Sequence, residues 1–583
     1  MPYKNLTDEQ WDAVRHEGDL LLTACPGSGK TKTLVSKLCY LLEKKEILGL
    51  GKKKIIALTY TNIAADTIYE RLMSYGVDTK YLWIGTIHSF CLNWIIKPNV
   101  DRIPRLSKGF SVIDEHEKDF LINELKEKYG LGFFDQVSTM LTPDFKPQYV
   151  SNDIKFTLVK DYHRSLNANR LIDFDLILNI TLRLLSIRSS LCKRLSLLFS
   201  HILIDEYQDT SFLQYEILRL IYSDENNILT LIGDKEQAIY TGLGAIVKHK
   251  KELSEFFGIN NLTDMKLTGC FRSSQSIVDF YSKYKDGKFK ILSLSKLKNF
   301  NSVIHKEDSV DKSQLPQYVV GIIKTHLDQG INPNEIAVLC PSWFDVIKLS
   351  NEILLLSNDF EIDGVTISPI PKNTENFWLR FIKLFFVKRV PSNFIIRQKI
   401  VNEFLADLSL HSPNSIFYSS KVILSKINHM ALVTDYDANV GTWLKMVITD
   451  FCAIFKLDLH EGGFFYSEMN SLINASLKRM KKYDMVYQAS DLPSFFNSRS
   501  GVKITTCHST KGDEYEVVIC TGLLKGKIPH WDVIFNCSPE YSDYTARRLL
   551  YVISSRAKKH LYMISECGHT TKSGVPYSVT PQL

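Results

Sequence analysis

The sequence predicts an α/β protein built on two parallel sheets, each carrying a mainly helical insertion. Two observations predict it. Short apolar runs that end in polar turns alternate with helical periodicity toward both ends of the chain, the pattern of βα units. Two long stretches, about 91–170 and 375–490, lack such runs and read as helices. At 583 residues the chain is too long for one compact core.

In chain order, the first strand is Leu20-Leu21-Leu22-Thr23, followed by a helix over 31–43. Strands are expected at 55–59, 83–86, 195–204 and 228–232, and then at 335–339, 502–507, 516–522 and 560–564. The run 195–204 is mostly apolar and meets Asp205-Glu206. That reads as a buried parallel strand with carboxylates at the sheet edge where ligands bind. Within the insertions, 114–129, 377–387 and 466–483 are helical in pattern. The expected division is 1–90 and 166–270 for the first α/β unit, with 91–165 as its insertion. The second unit is 271–372 and 492–583, with a reduced and divergent insertion at 373–491.

Composition sets outer bounds. The net charge of +7 permits nucleic-acid binding without requiring it. The polar N-terminus is not a signal peptide, and no apolar run is long enough to span a membrane, so a cytoplasmic location is expected. The cysteines form no Cys-x-x-Cys pair, which argues against zinc or an iron–sulfur cluster.

The chemistry is concentrated in two strings. Ala24-Cys25-Pro26-Gly27-Ser28-Gly29-Lys30-Thr31 lies between a strand and a helix. Gly27 and Gly29 let the backbone turn so that successive N–H groups, that of Ser28 among them, point at phosphate oxygens. Lys30 reaches the β- and γ-phosphates, Thr31 ligates Mg²⁺, and the helix adds its positive end. The second string is Asp205-Glu206-Tyr207-Gln208-Asp209-Thr210. Asp205 is suited to hold Mg²⁺, and Glu206 to orient and deprotonate an attacking water. Together the strings imply hydrolysis of a nucleoside triphosphate.

With these motifs in this order, the chain resembles superfamily 1A DNA helicases of the UvrD/Rep/PcrA type. The resemblance implies two RecA-like P-loop NTPase domains that bind ATP between them. Leu6-Thr7-Asp8-Glu9-Gln10 resembles the family's Q motif, in which Gln10 meets adenine; on its own a surface glutamine is more often solvated. Lys32 matches a basic position near the nucleotide. Thr59-Tyr60-Thr61-Asn62 and Gly85-Thr86-Ile87-His88-Ser89 resemble strand-binding motifs. Tyr60 alone reads equally well as a half-buried core aromatic.

In Gly233-Asp234-Lys235-Glu236-Gln237-Ala238-Ile239-Tyr240, the resemblance implies that Gln237 senses the γ-phosphate and Tyr240 meets DNA. Phe271-Arg272 implies stacking on adenine and a γ-phosphate contact. Lys503 to Tyr515 resembles a motif in which Thr506, His508 and Ser509 meet the DNA backbone and Glu514 accepts from the ribose. Arg556 matches the arginine finger.

Three departures stand out. Gly242 and Leu243 occupy positions where the family has tryptophan and arginine, Asp513 replaces a leucine, and Thr545 and Ala546 replace two acids before Arg547-Arg548.

The implied function is an ATP-dependent helicase or translocase moving 3′ to 5′ on single-stranded DNA, with tailed duplexes as substrate. The alternative is a DNA-stimulated ATPase that unwinds weakly alone and regulates or loads a separate nuclease. Only 27 residues follow Arg556, too few for a fused nuclease. The compact chain also resembles helicase subunits of Gabija-type antiviral defense operons, which work beside a nuclease.

Overall fold

The computed structural model describes residues 3–47, 49–132, 135–240, 244–287, 289–357, 359–364, 368–371, 376–412, 418–482, 486–496, 501–571 and 573–583. The first sheet has β1 (Leu20–Ala24), β2 (Lys54–Thr59), β3 (Leu82–Thr86), β4 (Phe199–Asp205), β5 (Ile228–Gly233) and β6 (Thr263–Leu267). Their order is β3-β2-β4-β5-β1-β6, and every pairing is parallel.

Alternation along these strands feeds two cores. Leu21, Ile56, Leu58, Ile202 and Ile204 face one, while Leu20, Leu22, Ile55, Ala57 and Leu203 face the other. Burial on both faces is what parallel strands require, and it explains their nearly unbroken apolar sequence.

The second sheet comprises β7 (Ile304–Glu307), β8 (Ile336–Cys340), β9 (Ile362–Asp363), β10 (Val502–Thr506), β11 (Tyr515–Cys520) and β12 (Ala557–Ile564). It is ordered β7-β12-β11-β8-β10-β9, again parallel. It too divides its side chains between two cores, with Leu339 and Val518 on one and Val338 and Val517 on the other.

One expected element is corrected. The run 195–204 is not a single strand: Ser189–Leu198 is a helix, and β4 starts only at Phe199. Leu191 and Leu195 are buried four residues apart, a helical repeat that merges in sequence with the strand's continuous apolarity.

The stretches outside the sheets differ in where their cores lie. In the first, Glu115–Lys128 and Ile154–Ala168 pack with the first sheet's own core through Ile122, Val159 and Tyr162. The second, with helices including Phe377–Phe386, Phe394–His411 and Val440–Phe455, builds a separate core around fully buried Trp378 and Trp443. The two insertions are joined by a buried ion pair between Arg479 and Asp114. Lys399 ties the second insertion to Asp66 of the first unit at 2.5 Å. Among the described residues no helix is long and apolar enough to cross a membrane.

Candidate active site at the junction of the two sheets

β1 runs into a loop pinned from two directions. Cys25 donates its N–H to the Leu267 carbonyl (3.1 Å), and the Gly27 carbonyl accepts from Phe271 N–H (2.8 Å). Gly27 and Gly29 have φ of +70° and +79°. A Cβ at Gly27 would lie 2.6 Å from the Arg272 Cβ, and one at Gly29 would lie 2.8 Å from Gln10 Nε2. Both positions therefore need glycine for conformation and for space. The Ser28 hydroxyl is buried with no hydrogen-bond partner. Helix α1 (Lys30–Glu43) starts at once, with its first N–H groups at the loop. Such a cradle suits phosphate oxygens.

Gln10 is almost fully buried and engaged at both ends of its amide. Nε2 donates to the Ser28 carbonyl (2.8 Å), while Oε1 caps helix Asp8–Arg15 by accepting from Thr7 N–H (3.1 Å). In this conformation it braces the loop rather than facing outward. The Lys32 ammonium donates to the Asn5 carbonyl at 2.7 Å, and Phe271 is 42 % exposed.

At the end of β4, Asp205 is buried and Glu206 adopts φ 55°, ψ 45°, a left-handed conformation rare outside glycine. Lys30 Nζ lies 3.2 Å from Glu206 Oε1. Gln208 Nε2 donates to Glu206 Oε2 at 2.5 Å, and Gln208 Oε1 accepts the Asp234 N–H at 3.0 Å. The two carboxylates are driven apart in acidity. Burial and the neighbouring Glu206 charge push Asp205 well above the usual carboxylate range. Burial alone would also raise Glu206, but Lys30 and Lys511 outweigh it and hold it low. For Lys30, burial works against the ammonium, and Glu206, Asp234 and Asp205 more than restore it.

The second unit contributes cations. Arg272 Nε donates to Glu514 Oε2 (2.7 Å) and its Nη1 to the Ser555 carbonyl (2.8 Å). Arg556 is 2 % exposed, and its Nη2 donates to Gln237 Oε1 at 3.0 Å. Its Nε and Nη1 donate to the Val552 and Asp513 carbonyls. Burial and the nearby Arg272 lower it to about 9. Gln237 Nε2 in turn donates to Asp234 Oδ2 (2.8 Å). A continuous polar chain thus runs from Lys30 through Glu206, Gln208, Asp234 and Gln237 to Arg556, crossing from one sheet to the other. Arg547 and Arg548, which lack the expected acids at 545 and 546, pair with Asp286 at 3.1 and 2.6 Å, and Arg548 also with Glu236.

Tyr60 and Tyr240 stack at 5.2 Å on the same edge of the junction, and the Tyr240 hydroxyl donates to the His508 carbonyl (3.3 Å). Asn62 is exposed at the start of helix α2 (Asn62–Ser74). Thr86, His88 and Ser89 form the turn after β3; Thr506, His508 and Ser509 form the turn after β10. Gly242 and Leu243 lie outside the described residues.

Sequence reasoning missed four residues of this network: Gln208, Asp209, Asp234 and Lys511. Lys511 Nζ reaches Asp209 Oδ2 at 2.6 Å and the Gln237 carbonyl at 2.7 Å. Each stands inside a quoted motif, yet its partner is set only by the tertiary fold.

Two family models match the chain. The UvrD/REP helicase N-terminal domain matches residues 6–257, and the UvrD-like helicase C-terminal domain matches residues 466–567. Among curated proteins, the chain is similar to the ATP-dependent DNA helicase PcrA of Staphylococcus epidermidis. The two are 23% identical over 623 residues, covering 96% of this chain and 83% of the relative. The Staphylococcus aureus PcrA is also 23% identical, over 625 residues with the same coverage. With both halves of the family's architecture matched in order and the phosphate loop, paired acids and cross-junction arginine in one polar chain, this protein belongs to the UvrD/REP helicase family.

Proposed function

We propose that this chain is an ATP-dependent DNA helicase that moves 3′ to 5′ on single-stranded DNA. The observation that carries the reading is the polar chain from Lys30 to Arg556, because it links groups of two sheets that a γ-phosphate would have to contact together. In this reading, residues 1–90 with 166–270 and 271–372 with 492–583 are the two moving units. ATP lies between them, with Gly27, Ser28, Gly29, Lys30 and Thr31 on its phosphates and Phe271 on its base. Gln10 and Lys32 border the nucleotide, and Glu514 accepts from its ribose.

Glu206 is the base that takes a proton from the attacking water, its carboxylate kept ionised by Lys30 and oriented by Gln208. Lys30, Arg272 and Arg556 balance the charge that develops on the transferred phosphoryl group, while Gln237 reports its presence. Two of these cations come from the second unit. ATP therefore favours closure through its differential affinity for the closed state.

Mg²⁺ fits the site. Asp205 is a buried carboxylate beside a second one, which a divalent cation would relieve, and Thr31 lies in the first turn of the adjacent helix. No group of three or more ligating side chains stands ready for a metal among the described residues. That suits an ion that keeps waters and phosphate oxygens in its shell. When bound it supplies charge neutralisation at the β- and γ-phosphates.

The strand runs along Tyr60, Asn62, Thr86 and His88 on the first unit, then Tyr240, Thr506, His508 and Ser509. Exposed aromatics stack on bases, and hydroxyls and N–H groups hold phosphates.

The test is Glu206→Gln. It should bind a nucleotide analogue and single-stranded DNA normally while ATP turnover falls to background. A variant that no longer binds nucleotide would assign Glu206 to the fold instead. Polarity is read by comparing 3′-tailed and 5′-tailed duplexes, and unwinding of the 5′-tailed substrate alone contradicts the direction. The same assay addresses a role beside a separate nuclease in antiviral defense: efficient unwinding by the purified chain removes the need for a partner.

A further inference from the structure

On the first unit, the proposed strand path reaches Asn62 and the turn after β3. A groove of about 880 Å³ opens there. Asn62, Ser89 and the partly exposed rings of Trp83 and Trp94 line it on the first unit's side. The second insertion forms the opposite wall, through helices Phe377–Phe386 and Phe394–His411 with Arg380, Lys383 and Lys399.

The charges in this groove pair off, with one exception. Lys399 binds Asp66 at 2.5 Å and lies 3.9 Å from Glu403. Arg380 binds Asp407 at 2.6 Å and lies 3.6 Å from Glu403. Lys383 has no hydrogen bond or ion pair among the described residues. It faces Asp66 and Glu403, which are already taken, and the like charges of Arg380 and Lys399. Burial, the largest influence on it, disfavours the ammonium form. A cation held in this state costs stability until an anion reaches it.

The groove continues beyond Lys383. Trp94 and Pro98 also border a second hollow, of about 540 Å³, on the first unit. Arg102 and Arg194 stand on it, both exposed and both without a hydrogen bond or ion pair among the described residues. Asp101 is the one acid lining it among those residues. Unpaired cations spaced along a groove, with aromatic rings between them, suit a single strand: phosphates meet the cations and bases meet the rings.

We propose that the DNA strand continues past the junction of the sheets along this track, with Lys383, Arg102 and Arg194 each holding a phosphate. The proposal rests on the strand path given above and extends it to a site away from the nucleotide. It also accounts for the placing of Lys383, which the fold alone does not reward.

The experiment measures the anisotropy of labelled single-stranded oligonucleotides, shortened stepwise from either end. Full-length wild type is compared with Lys383→Met, the double variant Arg102→Ala/Arg194→Ala, and Tyr60→Ala. On oligonucleotides that fill the track, Lys383→Met should bind about fivefold more weakly, the upper range for a partly exposed ion pair. The slope of log affinity against log salt should become shallower by about 0.7 for Lys383→Met and about 1.4 for the double variant. Wild-type affinity should rise with length until the track is full, and both track variants should level off at a shorter length. Lys383→Met should melt no lower than wild type, because it removes a cation without a partner. A lower melting temperature with wild-type DNA binding would make Lys383 a structural residue and overturn its role. If Lys383→Met does not fold, the double variant decides, since both its positions are exposed. Wild-type slope and length dependence in the folded track variants overturn the proposal alone, provided Tyr60→Ala binds more weakly at every length. Full affinity in Tyr60→Ala, or a wild type that binds no single strand, removes the path beneath the proposal and the proposal with it.

Discussion

The turns after β3 and β10 share a four-residue pattern, Thr86-Ile87-His88-Ser89 and Thr506-Cys507-His508-Ser509. In both, the threonine hydroxyl accepts the serine N–H at 3.2 Å and donates to the serine hydroxyl, at 3.1 and 2.9 Å. Burial lowers both histidines, so each is neutral near pH 7. The sixth residue separates them. At the first turn it is Cys91, fully buried in the core under the first sheet. At the second it is Lys511, which leaves its own unit to bind Asp209. The lesson is that a strand-end turn supplies hydroxyls and N–H groups whatever its surroundings, while the second residue after it decides whether the turn is anchored within one unit or tied across two.

The largest expected effect tests whether cross-unit cations matter at all. Arg556→Ala should slow ATP turnover by about 10³-fold or more, the usual range for an arginine finger. Near-normal turnover would mean that the second unit does not complete the site, and the contrast between the turns would lose its functional meaning.

The next prediction gives the first turn the sixth residue of the second. Cys91→Lys places an ammonium in an apolar core with no partner, and should cost about 3 kcal/mol or more in urea unfolding. A small loss would show that the first turn has a route to solvent, and that its buried sixth residue is incidental.

The smallest effect is a pH dependence. Burial depresses His88 from 6.5 to about 4, with Asp175 offsetting part of the shift. Between these values the unfolded chain binds a proton that the folded chain does not. Stability is therefore complete above pH 6.5 and declines as pH falls toward 4. His88→Asn should flatten part of that decline between pH 7 and 5. An unchanged pH profile would place the loss at other groups.

Much of this was legible in the sequence. The buried parallel strands read correctly because both faces are covered, so their apolar runs are unbroken. The loop after β1 and the paired acids at the end of β4 could be located because their signatures are contiguous in sequence. β6 (Thr-Asp-Met-Lys-Leu) and β7 (Ile-His-Lys-Glu) went unread because they are edge strands made mostly of polar residues. The boundary at Phe199 was lost because a buried helix and a buried strand share apolarity where they join. Lys511 and Asp209 lie 302 positions apart, and no local rule pairs them. The braced state of Gln10 was equally hidden, since its partner is a main-chain carbonyl.

The left-handed backbone at Glu206 has a consequence for anyone engineering this protein. A non-glycine residue there costs about 1–2 kcal/mol, and the side chain adds a second buried carboxylate beside Asp205. A stability-guided redesign would rank this position among the first to change, to glycine or asparagine. Either choice eases the backbone conformation, but it deletes the carboxylate proposed to drive hydrolysis and takes the partner from buried Lys30. Backbone ease and turnover are thus opposed at a single codon.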